Sequence, residues 1–171
     1  MTQITRISEA EGRSQIDQFI GLLADTVNNG ASVGFLRPLD TNLAHDYWHD
    51  VFTSVGKGAK ILLIAREDAL IVGSVQLELC ARQNGLHRAE VQKLIVLSRC
   101  RRQGIASRLM DAIEREAQAA TRSLLVLDTE ARSGAEPFYE SLRWQRVGSI
   151  PDFALSTDGV PTPNTIYYKA I

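Results

Sequence analysis

The stretch Val96-Leu97-Ser98-Arg99-Cys100-Arg101-Arg102-Gln103-Gly104-Ile105-Ala106-Ser107-Arg108-Leu109-Met110 joins an apolar, strand-like run to an amphipathic, helix-like one. The connection is a short basic loop that ends in glycine, so a chain carrying it must feed a strand directly into a helix N-terminus. The first N–H groups of that helix lack intrahelical partners and carry the positive end of its dipole. Gly104, without a Cβ, lets the backbone approach an anion closely, while Arg99, Arg101, Arg102 and Arg108 neutralise it from the sides. The loop is therefore a candidate phosphate cradle. Taken alone it reads equally well as a strand-to-helix turn with a solvated basic face.

The flanks extend the pattern. Ala89 to Val96 predicts the strand that enters the loop. Gly104 to about Ala120 predicts the helix that leaves it, with Ile105, Ala106, Leu109, Ala112, Ile113, Ala117 and Ala120 on one side. Asp111 and Arg115 stand at i,i+4, the spacing of a helical ion pair. Leu124 to Leu127 is a run of large aliphatics, as expected of a strand buried on both faces, with Asp128 and Thr129 at its end. Pro137 must lie in the first turn of the next helix, which carries Phe138, Tyr139 and Leu142. The result is a β–α–β unit, expected to be parallel and right-handed.

Upstream, Thr2 to Ile7 alternates as a short strand. Ser14, with Asp17 three residues on, predicts a helix start before Ile16, Phe19, Ile20, Leu23 and Val27, and Asn28-Asn29-Gly30 ends that helix. Gly30 to Pro38 is a loop of small residues around Phe35 and Leu36, placed either to line a pocket or to tuck Phe35 into the core. A second helix from Asp40 or Thr41 to Val55 puts Ala44, Tyr47, Trp48, Val51 and Val55 on one side. Lys60 to Ala65 and Leu70 to Leu79 form a hairpin through Arg66-Glu67-Asp68-Ala69, and Asn84-Gly85 is a turn. Gln145 to Ile150 and Thr165 to Lys169 close the chain as strands around a loop holding Pro151, Asp158-Gly159, Pro161 and Pro163. The order β, α, α, three strands, α, β, α, β, β describes a mixed α/β domain, expected to span residues 1–171.

Composition narrows the function. With 171 residues the chain is expected to bury roughly two-thirds of its unfolded surface, so disulfides are not needed. A net charge of −1 excludes the broad basic face of a nucleic-acid binder and turns the arginine cluster toward a small anion. No apolar run approaches membrane-spanning length and no charged-then-apolar leader opens the sequence, so a cytoplasmic protein without membrane contact is expected. Cys80 and Cys100 have no metal-binding spacing. His45 and His49 stand at the i,i+4 spacing of a zinc helix, but Asp46 is short for the usual base and no third ligand accompanies them. No metal is expected.

Arg101-Arg102-Gln103-Gly104-Ile105-Ala106 resembles the Gln/Arg-x-x-Gly-x-Gly/Ala motif of the GNAT family of acetyl-CoA-dependent N-acetyltransferases. The resemblance covers nearly the whole chain. Gly30-Ala31-Ser32-Val33-Gly34-Phe35, Asn84-Gly85-Leu86, Arg88-Ala89-Glu90-Val91-Gln92-Lys93-Leu94 and Leu127-Asp128-Thr129-Glu130-Ala131 are similar to the tabtoxin-resistance members, which acetylate the amino group of tabtoxinine-β-lactam. Three departures stand out. Ala106 replaces the last glycine, Ser98 stands where proline is frequent, and Leu142-Arg143-Trp144 replaces Leu-Gly-Phe, leaving a left-handed helix cap without its glycine.

The resemblance implies a mixed, mostly antiparallel sheet with a central parallel β–α–β unit and helices on both faces. It implies acetyl-CoA as co-substrate, its pyrophosphate on Arg101, Arg102, Gln103, Gly104, Ile105, Ala106 and Ser107. The pantetheine arm would pair with the backbone of Leu94, Ile95 and Val96, where an N–H also serves the oxyanion. Tyr139 stands at the family's general-acid position. An alkyl ammonium has a pKa near 10, about three units above neutrality, so a base must take its proton before attack. Glu90 and Asp128 are the carboxylates in position, acting as base or holding the ammonium. Ser32 and Phe35 are expected on the acceptor side. The expected acceptor is the primary amine of a small molecule, amino-acid-like or a β-lactam toxin. A protein or peptide amine and a non-catalytic coenzyme-A-binding module are the alternatives. Paired subunits are common in the family.

Overall fold

The computed structural model describes residues 2–171. After strand β1 (Gln3–Arg6) the chain forms three helices rather than two: α1 (Glu9–Ser14), α2 (Ile16–Asn28) and α3 (Thr41–Gly56). The cap expected at Ser14 lies instead at Ser8. Its hydroxyl accepts from the Glu11 N–H while the Glu11 carboxylate accepts from the Ser8 N–H, a complete capping box. Ser14 ends α1, and α2 starts from Gln15 without a side-chain cap. Gly12 is required here because a Cβ at that position would run into the Phe52 ring of α3. At α3, the Asp40 carboxylate caps the N–H groups of Asn42 and Leu43.

The strands β2 (Lys60–Glu67), β3 (Leu70–Leu79), β4 (Arg88–Val96), β5 (Leu124–Glu130), β6 (Gln145–Leu155) and β7 (Pro161–Ala170) join β1 in one sheet of order β1-β2-β3-β4-β5-β7-β6. Every pairing is antiparallel except β4 with β5. Two apolar cores cover the sheet. One, around Phe19, Trp48, Phe52, Leu62 and Ile64, packs α2 and α3 on one face. The other, around Leu77, Val91, Leu109, Ile113, Leu125 and Tyr167, holds α4 (Ile105–Ala119) and Tyr139 of α5 (Ala135–Ser141) on the other. Helices therefore cover both faces, as expected. No helix among the described residues is long and apolar enough to cross a membrane.

The parallel pair is short. Arg88, Ala89 and Glu90 lie opposite Leu124, Leu125 and Val126, and there the pairing stops. Beyond it β4 stays with β3 up to Val96, and β5 stays with β7 up to Glu130. The two strands diverge into a wedge whose β4 edge, from Val91 onward, has no neighbouring strand. Asp128 is thus an internal residue of β5, opposite Ile166, rather than a strand-end residue. Nor is β5 buried on both faces: Leu125 and Leu127 are buried toward α4, while Leu124 and Val126 are only half-buried.

A bulge reshapes β4 along the wedge. Ser74 pairs with Ile95 but Gln76 pairs with Gln92, so β4 spends one residue more than β3 over the same span. Lys93 absorbs it with φ +50°. The face alternation shifts accordingly. Ala89 and Val91 sit in the α4-side core, as do Leu94 and Val96 after the bulge, while Ile95 sits in the α3-side core.

The C-terminal strands run further than expected, because β6 continues through Pro151 to Leu155 and β7 starts at Pro161. As the outer strand of the sheet, β6 tolerates a missing N–H, and its register slips between Ile150 and Ala154, around Pro151 and Asp152. The pair expected between Asp111 and Arg115 does not form. Neighbouring positions bind the sheet instead, Glu114 to Lys169 at 2.7 Å and Glu116 to Arg6 at 3.1 Å. At the end of α5, Arg143 takes the left-handed position with φ +66° in the absence of glycine. Arg143→Gly is expected to stabilise the fold by about 1 kcal/mol, offset in part by added freedom of the unfolded chain. Thermal unfolding checks it.

Candidate active site

The loop between β4 and α4 has the form of an anion cradle. Arg102 and Gly104 both adopt left-handed backbone, at φ +63° and +75°, so the chain alternates direction and turns consecutive N–H groups to one side. Among the described residues, none of the N–H groups from Arg102 to Ser107 finds an acceptor in the chain. The first helical bond of α4 is donated by Arg108 to the Gly104 carbonyl. No side chain caps the helix. A Cβ added at Gly104 would meet nothing of the protein within 4 Å, so the loop's mouth is open. These features fit a pyrophosphate.

The side chains divide their work. Arg101 and Arg102 are exposed at the mouth, and Arg101 Nε also donates to the Val96 carbonyl at 3.3 Å. Arg108 does not face the loop; its guanidinium donates to the Thr2 carbonyl at 3.1 Å. Gln103 is exposed, whereas Ile105 is buried, so Ile105 offers the site only its backbone. Leu94, Ile95 and Val96 likewise commit their side chains to the two cores. What they leave toward the wedge is backbone.

Ser98 proves better suited here than proline. Its N–H and its hydroxyl both donate to the Asp25 carboxylate, each at 2.7 Å, pinning the start of the loop to α2. Proline has no N–H for the first of these bonds. Asp25→Ala would leave that N–H without its acceptor, which costs on the order of 1–3 kcal/mol. A several-fold rise in the KM for the coenzyme with little change in kcat, together with a lower melting temperature, is the expected result.

Across the wedge, the sheet register sets Asp128 on the face opposite Leu127. Asn164 Nδ2 donates to Asp128 Oδ2 at 2.6 Å, orienting an exposed carboxylate. Tyr139 approaches from the other face, its ring set among Phe138, Trp144 and Tyr167. Burial, reinforced by the Asp128 charge, pushes its hydroxyl well above the usual phenol range, so at neutral pH it carries its proton. Glu90 lies lower, where β4 and β5 are still paired, beside a cavity of about 620 Å3 lined also by Lys60, Glu78, Cys80 and Arg88.

A polar network absent from the sequence reading supports Glu90. Gln92 Nε2 donates to Glu90 Oε1 at 2.9 Å, Lys60 Nζ donates to Gln92 Oε1 at 2.7 Å and to Gln76 Oε1 at 3.2 Å, and Gln76 exchanges hydrogen bonds with the Tyr47 hydroxyl. Lys93, brought in by the bulge, stands over the Tyr47 ring at 5.7 Å. Phe35 packs edge-on against Tyr47, with ring centroids 5.3 Å apart, and the two rings lie half-buried against the α3-side core. Ser32, half-buried in the Gly30–Pro38 loop, makes no hydrogen bond to another described residue. The loop is tied down by Arg37, whose guanidinium forms a two-pronged pair with Asp158 at 2.5 and 2.8 Å, and whose N–H donates to the Thr157 carbonyl.

The acetyltransferase (GNAT) domain model matches residues 30–154 of the sequence. The chain belongs to the GNAT acetyltransferase family. A relative from Azospirillum brasilense, described as an uncharacterized N-acetyltransferase in the hisH-hisA intergenic region, is 29% identical over 146 residues, covering 77% of this chain and 85% of its own. Solved structures share the fold at low identity. The ribosomal-protein-alanine N-acetyltransferase of Brucella melitensis superposes with a TM-score of 0.79 at 18% identity, over 99% of both chains. The yncA acetyltransferase of Salmonella typhimurium, solved with acetyl-CoA, reaches 0.76 at 14% identity, over 99% of this GNAT chain and 94% of its own. The chain is accordingly an acetyltransferase whose family uses acetyl-CoA.

Proposed function

We propose that this GNAT protein transfers acetyl from acetyl-CoA directly to the primary amine of a small molecule, within a ternary complex. The row of partnerless N–H groups from Arg102 to Ser107, which follows the open β4 edge across the wedge from Asp128, carries this reading. Acetyl-CoA supplies an activated acyl group as a thioester. Arg101 and Arg102 complete the charge balance at the cradle, and the β4 backbone from Val91 to Val96 pairs with the extended arm like an added strand. A backbone N–H near Leu94 to Val96 stabilises the oxyanion.

Asp128 is the better placed of the two carboxylates to take the ammonium proton, because it lies in the open part of the wedge and is oriented by Asn164. Glu90, engaged by Gln92 at the paired foot of the wedge, holds the charge of the bound ammonium. Tyr139 then donates its proton to the departing thiolate. A thiol pKa of about 8.5 makes that thiolate a tolerable leaving group, so the donation accelerates a step that proceeds without it. Cys100, buried below the loop, is not needed as a nucleophile.

Release of free thiol from acetyl-CoA, measured over a panel of amines, tests the reading. Turnover on small amines supports it, with amino acids and a β-lactam amino acid included to test the toxin-resistance assignment. Turnover confined to peptides or protein N-termini transfers the activity to a macromolecular acceptor. Tight coenzyme binding with no turnover on any amine favours a non-catalytic module. A cytoplasmic location fits the two free thiols, Cys80 and Cys100.

A further inference from the structure

The Lys93 ammonium stands in the site without a hydrogen-bond or ion-pair partner among the described residues. Lys60, the other ammonium nearby, has Gln76, Gln92 and the Glu78 carboxylate at 3.4 Å. Arg37 is taken up by Asp158. Lys93 makes no hydrogen bond or ion pair with any described residue, although it is half-buried between the sheet and the Gly30–Pro38 loop. Its Nζ lies so close to the loop backbone that a Cβ on Gly34 would stand 3.4 Å away. Its other neighbour is the face of Tyr47.

The position is also one the backbone is bent to produce. Without the bulge, residue 93 would follow the alternation of Ala89 and Val91 into the α4-side core. With it, the left-handed residue at φ +50° turns the lysine to the face of Tyr47. Such a conformation costs on the order of 1–2 kcal/mol. Burial and the nearby Lys60 charge lower the affinity of Lys93 for its proton, while Asp128 and Glu90, beyond ion-pair distance, oppose that effect. A partly desolvated cation in this setting is stabilised by an anion brought from outside.

The surroundings define that anion. With Lys60 already engaged by Gln76, Gln92 and Glu78, Lys93 offers one free ammonium and no arginine fork, which suits a single negative charge better than a phosphate dianion. The edge-to-face pair of Phe35 and Tyr47 offers an apolar wall for a short carbon chain. Asp128 and Glu90, whose charges reach Lys93 from beyond ion-pair distance, are the carboxylates left for the amine of the same molecule.

We propose that Lys93 binds a carboxylate of the acceptor, so that the molecules acetylated are amino acids or close analogues rather than simple amines. This rests on the acetyl-transfer reading above. The test is to compare matched pairs that differ only in the carboxylate, L-lysine against 1,5-diaminopentane and β-alanine against ethylamine, in wild type, Lys93→Met and Lys93→Arg. A parallel calorimetric titration of the same amines into enzyme loaded with coenzyme A reads binding without turnover.

Wild type is expected to favour the carboxylated member by on the order of 100-fold in kcat/KM. In Lys93→Met that ratio falls to within about threefold, carried by KM, and Lys93→Arg retains part of it. Turnover by wild type with no preference for the carboxylated member overturns the proposal and leaves acetyl transfer standing. Binding of the amino acids that depends on Lys93 with no turnover on any amine upholds the carboxylate site and overturns acetyl transfer to small amines. Neither turnover nor Lys93-dependent binding overturns both.

Discussion

Asp128→Asn is expected to lower kcat/KM by about 100- to 1,000-fold at pH 7 and to lose most of that deficit by pH 10. With a pKa near 10, roughly one amine in a thousand is neutral at pH 7. An enzyme that removes the proton in place uses the abundant ammonium form, and its rate is nearly flat across this range. Without the base it must wait for the scarce neutral amine, so its rate rises about tenfold per pH unit until the amine pKa is reached. The substitution is mild structurally, since a carboxamide oxygen still accepts from Asn164 Nδ2 and the position is exposed. Rate profiles for wild type and variant across this range provide the check. A deficit that stays constant with pH would reduce Asp128 to an electrostatic anchor for the ammonium. Glu90→Gln is expected to cost less and to act mainly on the acceptor KM.

Gly104→Ala is expected to separate binding from stability. The left-handed backbone at this position costs a residue with a Cβ about 1–2 kcal/mol, equivalent to a fall of roughly 2–8 °C in melting temperature at this chain length. No protein atom stands in the way of the new methyl group, so the fold loses little more than that. Coenzyme affinity should fall much further, because the methyl group occupies the mouth of the cradle. Charge-assisted hydrogen bonds contribute about 1.5–3 kcal/mol each, so losing two of them weakens binding by 100-fold or more. Calorimetry with acetyl-CoA, set beside thermal unfolding, measures both. A change in affinity below threefold with the same thermal shift would remove Gly104 from the binding site.

The elements that could be read from the sequence were those whose signal is local. Gly104 after a basic loop, an apolar run before it and a one-sided helix after it state the cradle in consecutive residues, and Asp40 and Pro137 mark helix starts by their own chemistry. Helix α1 was missed because six residues including Gly12 show little periodicity, although Ser8 and Glu11 held the capping box that would have found it. The wedge, by contrast, is a property of pairing. That β4 leaves β5 after Glu90 depends on which neighbours each strand keeps, and no residue in either strand announces it. The direction of Lys93 is set by a bulge against β3 that no residue in the strand marks, and Asn164 reaches Asp128 only through the β5–β7 register. The extension of β6 across Pro151 was hidden for a similar reason, since proline argues against a strand only until the strand is known to be an edge.

Amide hydrogen exchange with and without acetyl-CoA probes the cradle itself, because it is built largely from backbone N–H groups that have no partner among the described residues. Protection on binding is expected to concentrate at Arg102–Ser107 and along Val91–Val96, with α1 and β1 unchanged. Saturating coenzyme that leaves both segments exchanging at their free rates, or protects a different surface, would contradict the assignment of the cradle.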